Sequence, residues 1–550
     1  MNNQKAASSK EQKKLVANWS HLIKVFIRPE NETSRNALVK YMRPILFGLH
    51  DFLNQHVGVT SNVSLKDMAS HFTNSTLSEQ PEKKLADVIT DLIENIAPHA
   101  VNIASPYFVG HMTSAIPFFM VHLKTIVTAL NQNVVKIETS KVVSILEKQI
   151  IAKMHRLLYQ KKVAFYDANI QRADAALGVF VEGGTMANIT ALWVARNNLF
   201  APKKGFAGVA REGVPAAYKA YGIEKCVVLV SRLGHLSIRK AGGLLGIGNK
   251  NIISIGVDKN NRIKLDVLNR TIKCIKEKSK IKILAVVGIA GTTETGTIDP
   301  LEELGRICAE NRIHYHVDAA WGGATIMSKK YRHLLKGIEL ADSITIDGHK
   351  QLYMPMTCGM LYFKDPERMD AVAYHSTYIN RPGSVDLGIK SITGSREANS
   401  IILDSAFKIM GTRGYALLID HGIELAAELA QEIKKRPDFQ LITEPLLNII
   451  TYRYCPLDIQ KKLAEPGHKG RRALNRRLNE MTRMIQILQR EAGKSFVSRT
   501  TLMLGNKQKE RIVVFRCVLM NPLTDMNILK EVLDEQEEIY SKVLPEEYRF

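Results

Sequence analysis

Ser343-Ile344-Thr345-Ile346-Asp347-Gly348-His349-Lys350 reads as a β-branched run of strand length that stops at a turn carrying a lysine. Upstream, His314-Tyr315-His316-Val317-Asp318 leads into Ala319-Ala320-Trp321-Gly322-Gly323, a second short run closed by an aspartate and small residues. The two runs are expected to be strands of one sheet, which would set Asp318 and Lys350 at adjacent strand ends. That pair suits pyridoxal 5'-phosphate. The lysine amine would hold the aldehyde as an imine, and the carboxylate would keep the pyridine nitrogen protonated so that the ring can accept electrons. Taken singly, Lys350 reads as a surface lysine and Asp318 as the N-cap of the next helix.

Outward from these two runs, the stretch from Gly178 to Asp365 carries further apolar runs of strand length, each followed by a helix-like segment. They are Cys226 to Ser231, Ile252 to Gly256, Ile283 to Ile289 and Met360 to Phe363. Near-continuous apolar strands separated by helices predict an α/β fold, a mostly parallel sheet with helices on both faces. In such a sheet, functional groups collect beyond the carboxyl ends of the strands, where Asp318 and Lys350 fall. Residues 146–415 are therefore expected to form a large cofactor-binding domain.

Residues 1–145 read as an N-terminal helical segment whose first fifteen or so residues, polar and rich in Lys and Ser, are expected to be disordered. A long amphipathic helix is predicted from Ser140, with Val143, Leu146, Ile150, Met154 and Leu157 on one face. This segment has too small a core of its own and is expected to wrap around something, a second subunit for example. Residues 416–550 interleave strand-like runs with helices, which predicts a small α+β domain.

The 550 residues carry 76 Lys and Arg against 54 Asp and Glu, a net charge of +22. Such an excess raises nucleic acid or an anionic membrane as partner. The charge is spread out, however, and the basic cluster at Arg471-Arg472 and Arg476-Arg477 lies opposite the apolar stripe Leu474, Leu478, Met481, Ile485 and Leu488. It reads as the solvated face of a helix, without the aromatic interleaving of a nucleic-acid surface. No apolar run approaches the roughly 20 residues of a membrane span, and the start of the chain lacks the apolar segment of a secretion signal. Six scattered cysteines without a CxxC pair suggest reduced thiols and no metal site. A cytoplasmic protein is expected.

Gly183-Gly184-Thr185 stands between a strand-like run and a helix-like one, where backbone N–H groups and a hydroxyl suit a phosphate. By itself it reads equally as a plain turn. His235 could stack on the cofactor ring or serve as a loop or capping residue. Gly291-Thr292-Thr293 could be a pocket wall or a turn, and Ala320 could let the ring lie close to the backbone.

In order along the chain, Gly183-Gly184-Thr185, His235, Gly291-Thr292-Thr293, the run His316 to Gly323 and His349-Lys350 resemble the pyridoxal-dependent group II amino-acid decarboxylases. Pro106-Tyr107-Phe108, Gly110-His111 and Asn131-Gln132-Asn133 extend the resemblance, which covers most of the chain. Within the family the chain is most similar to the bacterial aspartate 1-decarboxylases, which are themselves similar to glutamate decarboxylases. The resemblance implies a fold-type I homodimer with its active site at the subunit interface. It assigns Lys350 to the imine, Asp318 to the pyridinium, and His235 to the stack. Gly184 and Thr185 would bind the phosphate, Thr293 and Ala320 would line the cofactor site, and His349 would lie near phosphate and substrate. Asp347 departs from the asparagine of many relatives, and its carboxylate would be repelled by a phosphate unless protonated or turned away. Tyr378 matches a loop tyrosine that could protonate the substrate carbon, or it could simply pack the loop. Arg396 resembles an arginine used on a substrate carboxylate, with an ordinary surface salt bridge as the alternative.

The implied reaction is decarboxylation of an acidic L-amino acid, L-aspartate to β-alanine in the first place, with L-glutamate to γ-aminobutyrate as the alternative. A catalytically silent basic binding protein on the same fold is the reading from another class.

Overall fold

The computed structural model describes residues 18–22, 32–54, 57, 65–376, 383–465, 470–504 and 510–550. The polar start of the chain and Tyr378 lie outside the described residues.

Seven strands make the large sheet: β1 (Gly178–Val181), β2 (Lys225–Ser231), β3 (Ile252–Ile255), β4 (Ile281–Ile289), β5 (His314–Asp318), β6 (Ser343–Asp347) and β7 (Gly359–Phe363). Their spatial order is β1-β7-β6-β5-β4-β2-β3. Strands β2 to β6 pair in parallel. Strand β7 runs antiparallel to both β6 and β1, so β1 points the same way as the parallel set. The carboxyl ends of β1, β2, β4, β5 and β6 thus share one edge of the sheet.

Burial on both faces explains why these strands are apolar at nearly every position. Along β2, Val227 and Leu229 enter one core while Cys226, Val228 and Val230 enter the opposite one. The helix Gly184–Leu199 packs against β4, β6 and β7. The helix Val142–Tyr159, as its apolar periodicity predicts, buries Val143, Ile150 and Met154 and packs on β1 and β7.

A smaller antiparallel sheet, in the order β10-β11-β9-β8, is built from β8 (Phe439–Thr443), β9 (Ile449–Tyr454), β10 (Ser498–Leu504) and β11 (Glu510–Val518). Strand β10 escaped the sequence reading because its Ser-Arg-Thr-Thr start lacks an apolar run. The basic helix Arg471–Ala492 buries Leu478, Met481 and Ile485 against this sheet.

The boundaries expected at 145/146 and 415/416 fall inside the helices Val142–Tyr159 and Asn399–Lys435. The second of these, bent at Gly411, packs along the helix Val142–Tyr159 and reaches β8 and β9, so it joins the two sheets. Trp321 Nε1 donates to Asn448 Oδ1 at 3.1 Å, and the Tyr353 hydroxyl to the Met520 carbonyl at 2.6 Å, tying the small sheet to the large one. Among the described residues no helix is long and apolar enough to cross a membrane, and no His, Cys, Asp and Glu side chains cluster in a way that could hold a metal ion.

Candidate active site

A cavity of about 440 Å³ opens at the shared carboxyl edge of the sheet. Its wall includes Gly184, Thr185, His235, Thr293, Asp318, Ala320, Asp347, His349 and Lys350. Each comes from the segment after a strand: Gly184 and Thr185 after β1, His235 after β2, Thr293 after β4, Asp318 and Ala320 at the end of β5, and Asp347 to Lys350 at the end of β6. A larger groove of about 660 Å³ lies between the helices Val142–Tyr159 and Asn399–Lys435, but it holds none of these groups.

Asp318 and Thr345 are partners in the β5–β6 register, which sets Asp318 and the turn after Asp347 side by side. The Asp318 carboxylate is buried and has only neutral donors: Asn188 Nδ2 at 2.8 Å on Oδ2 and the Ala320 N–H at 3.2 Å on Oδ1. Among the described residues no cation contacts it, so its charge is held by neutral donors alone. Burial lowers the His235 imidazole below its ordinary value, with Asp318 opposing that shift.

Lys350 Nζ lies 3.3 Å from Asp347 Oδ2, and His349 Nδ1 lies 3.0 Å from Asp347 Oδ1. The same Asp347 Oδ2 accepts the Gly184 N–H at 3.1 Å. Asp347 thus caps the helix Gly184–Leu199 and sits against the lysine, so its carboxylate is not turned away from the expected phosphate turn. A carboxylate at a helix N-terminus is favoured by the macrodipole. The turn itself is built from missing side chains. A Cβ on Gly184 would lie 3.0 Å from Ala320 Cβ, and one on Gly359 would lie 2.5 Å from Gly183 Cα. Strand β7 and Ala320 therefore press directly on the Gly183-Gly184 backbone.

Arg396 lies elsewhere. Its guanidinium grips both oxygens of Glu147, with Nη1 to Oε2 at 2.9 Å, and both side chains are buried. The Arg396 N–H donates to Asn133 Oδ1 at 3.1 Å and its carbonyl accepts the Val134 N–H at 3.0 Å. It is neither a surface salt bridge nor part of the cavity wall; it fastens the Asn131-Gln132-Asn133 segment to the helix Val142–Tyr159. Freeing such a guanidinium for a ligand would strand a buried carboxylate, at a cost of about 3 to 5 kcal/mol.

A different arginine is bonded to the cavity wall from behind. Arg516, on β11, is buried; its Nε donates to the carbonyl of Thr293, a wall residue, at 2.6 Å, and its Nη1 reaches Gly110 O at 3.3 Å. Nη2 is buried without a partner among the described residues. Burial lowers its pKa to about 10, which still leaves it charged near neutral pH. His111 is depressed by burial and then by the nearby Arg516 and Lys350 charges, so the three groups share one neighbourhood. The sequence reading missed Arg516 because nothing local separates it from the other basic residues.

A wall with a lysine, a carboxylate held by neutral donors, a glycine-built helix start and a stackable imidazole fits pyridoxal phosphate, and a fold with these groups at one sheet edge defines the class of pyridoxal-phosphate enzymes. Residues 67–455 match the pyridoxal-dependent decarboxylase conserved domain. Over 525 residues the chain is 45% identical to aspartate 1-decarboxylase of Aliivibrio fischeri, covering 96% of this chain and 95% of that one. It is 27% identical to the acidic amino acid decarboxylase GADL1 of Xenopus tropicalis, covering 84% and 83%. The crystal structure of mouse CSAD in apo form superposes with a TM-score of 0.77 at 22% identity, covering 91% of this chain and 98% of that one, a likeness of fold. The chain belongs to the pyridoxal-dependent decarboxylase family. It is a pyridoxal-phosphate-dependent carboxy-lyase.

Proposed function

We propose that the protein decarboxylates an acidic L-amino acid, L-aspartate to β-alanine and carbon dioxide. The observation that carries this reading is the buried, unpartnered Arg516 Nη2 beside the cavity, in a chain 45% identical to an aspartate 1-decarboxylase over nearly its whole length. A planar fork of donors recognises a carboxylate, and a dry setting strengthens the attraction.

When bound, the cofactor supplies an electron sink for the bond that breaks. Lys350 would hold its aldehyde, Asp318 its ring nitrogen, His235 its face, and Gly184, Thr185 and His349 its phosphate end. Thr293 and Ala320 shape the wall. Arg516 would hold one substrate carboxylate, and holding the substrate fixes which bond stands perpendicular to the ring and so which reaction follows. Tyr378 would deliver a proton to the substrate carbon after carbon dioxide leaves.

The protein is further proposed to act as a homodimer in the cytoplasm. Large apolar side chains of the N-terminal helices, Phe47, Phe118 and Val142 among them, stand exposed as they would at a subunit contact. The six unpaired cysteines suit a reducing compartment.

Product analysis of the purified holoenzyme with aspartate and with glutamate tests the reaction. β-Alanine as the faster product is expected. A preference for γ-aminobutyrate would transfer the assignment to glutamate, since one methylene is worth only about 1 to 3 kcal/mol. No amine from either would overturn the reading and favour a silent binding protein. In the same assay Tyr378→Phe should yield more side products relative to amine; an unchanged ratio would remove the tyrosine from proton transfer.

A further inference from the structure

A branched chain of buried hydrogen bonds runs along the cavity wall, and its branch point is Asn188, itself a wall residue. Asn188 lies on the helix Gly184–Leu199, one turn in from the phosphate-binding start, and is buried. Its Nδ2 donates to Asp318 Oδ2 at 2.8 Å and to Ser237 Oγ at 2.9 Å. Its Oδ1 lies 2.9 Å from His316 Nε2. Beyond these, Ser237 Oγ lies 2.9 Å from His235 Nδ1, and His316 Nδ1 lies 2.9 Å from Ser343 Oγ, itself 2.9 Å from His314 Nε2.

Donor and acceptor counting leaves one arrangement. Asp318 only accepts when ionised, so the amide of Asn188 must turn its two hydrogens toward Asp318 and Ser237. Ser237 Oγ, accepting from Asn188, gives its own hydrogen to His235 Nδ1. The Ser237 backbone N–H, which can only donate, also points at that nitrogen at 3.3 Å. His235 therefore carries its proton on Nε2. On the other branch, Asn188 Oδ1 accepts from His316 Nε2–H, His316 Nδ1 accepts from Ser343, and Ser343 accepts from His314 Nε2–H. Burial holds His314 and His316 down at about 4, so each keeps a single proton, as the chain requires.

We propose that Asn188 is a positioning residue of the reaction: one amide group orients the Asp318 carboxylate toward the ring nitrogen and, through Ser237, sets the tautomer of His235. This rests on the reading of Asp318 as the partner of that nitrogen. A neutral amide is suited to the task because it fixes the carboxylate without cancelling its charge; a lysine or arginine at 188 would compete with the pyridinium for the same oxygens.

The test compares pyridoxal phosphate with its 1-deaza analogue, in which C–H replaces the ring nitrogen. Affinities of the full-length apo-protein are read by absorbance titration, with thermal unfolding as a check on folding. Wild type should hold pyridoxal phosphate more tightly than the analogue. Asn188→Ala should lose about tenfold or more in affinity for pyridoxal phosphate while binding the analogue about as wild type does. Isosteric Asn188→Asp, which keeps the packing but sets a second carboxylate against Asp318, should show the same selective loss. Ser237→Ala, cutting only the His235 branch, should leave the ratio of the two affinities close to wild type. Equal losses for both compounds in the Asn188 variants, or no loss, would overturn the proposal. A wild-type protein that fails to discriminate between the compounds would defeat the Asp318 reading, and the proposal with it.

Discussion

At the scale of single residues, the cavity separates groups that bond from groups that hold. Lys350→Ala should leave the protein folded but abolish turnover and the visible absorption band of lysine-bound cofactor, because the role proposed for Lys350 is a covalent link rather than packing. Near wild-type activity in that variant would refute the assignment. Arg516→Lys keeps the charge but removes the fork, so KM for the amino acid should rise about tenfold or more, roughly 1.4 kcal/mol, with a smaller change in kcat. An unchanged KM would return the substrate carboxylate to another residue. Asp318 and Lys350 were legible in the sequence because each closes a strand of unmistakable composition. Arg516, Asn188 and Glu147 were not, since each acts through a partner distant in the chain; Arg396 and Glu147 are separated by 249 positions. Arg396 shows the reason: a motif shows the residue but not the carboxylate with which it pairs in the fold.

At the scale of elements, the site depends on how closely strand β7 lies against the turn that starts the helix Gly184–Leu199. Gly359 pairs with Val181 on one side and Asp347 on the other, and an added Cβ would meet the Gly183 backbone at 2.5 Å. Gly359→Ala should therefore push the turn proposed to bind phosphate outward, costing about 1 to 3 kcal/mol of stability and weakening cofactor affinity together. Urea unfolding and absorbance titration would measure the two, and a variant that lost neither would show that the turn yields freely. The strands themselves were legible from their apolar runs. Strand β10 was not, because one polar-start strand is stabilised by its pairing with β11 and by the helix Arg471–Ala492 rather than by its own composition.

At the scale of the whole molecule, buried titratable groups set the response to acid. Burial depresses His111, His155, His235, His314 and His316, with His155, His314 and His316 at about 4. These imidazoles stay neutral in the folded chain where the unfolded chain, near 6.5, would protonate. Unfolding then takes up protons, and stability falls as pH drops from about 6.5 toward 4. Asp299, raised to about 7, and Glu294 and Glu535, also raised, work in the opposite direction, because their folded forms hold protons that the unfolded chain releases. Five imidazoles against three carboxyls decide the sign. The midpoint of thermal unfolding should fall between pH 6.5 and 4, and His155→Gln should flatten that slope; a midpoint that rose on acidification would contradict this. Light scattering should give the mass of a dimer, and Phe118→Asp, which in an isolated chain would change an exposed side chain at little cost, should lower that mass toward the monomer. A wild-type monomer would remove the second subunit from the proposal.

By itself, the sequence determined the sheet, the strand ends that carry Asp318 and Lys350, and the family, because strand composition and short motifs are local properties that survive without knowledge of neighbours. Only the tertiary structure decided which arginine is bonded to the cavity wall, that Asp347 caps the helix Gly184–Leu199 while touching Lys350, and that Asn188 joins Asp318 and, through Ser237, His235. Those are matters of burial and of donor and acceptor pairing, and a side chain's partners are chosen when distant segments pack, not when the chain is written.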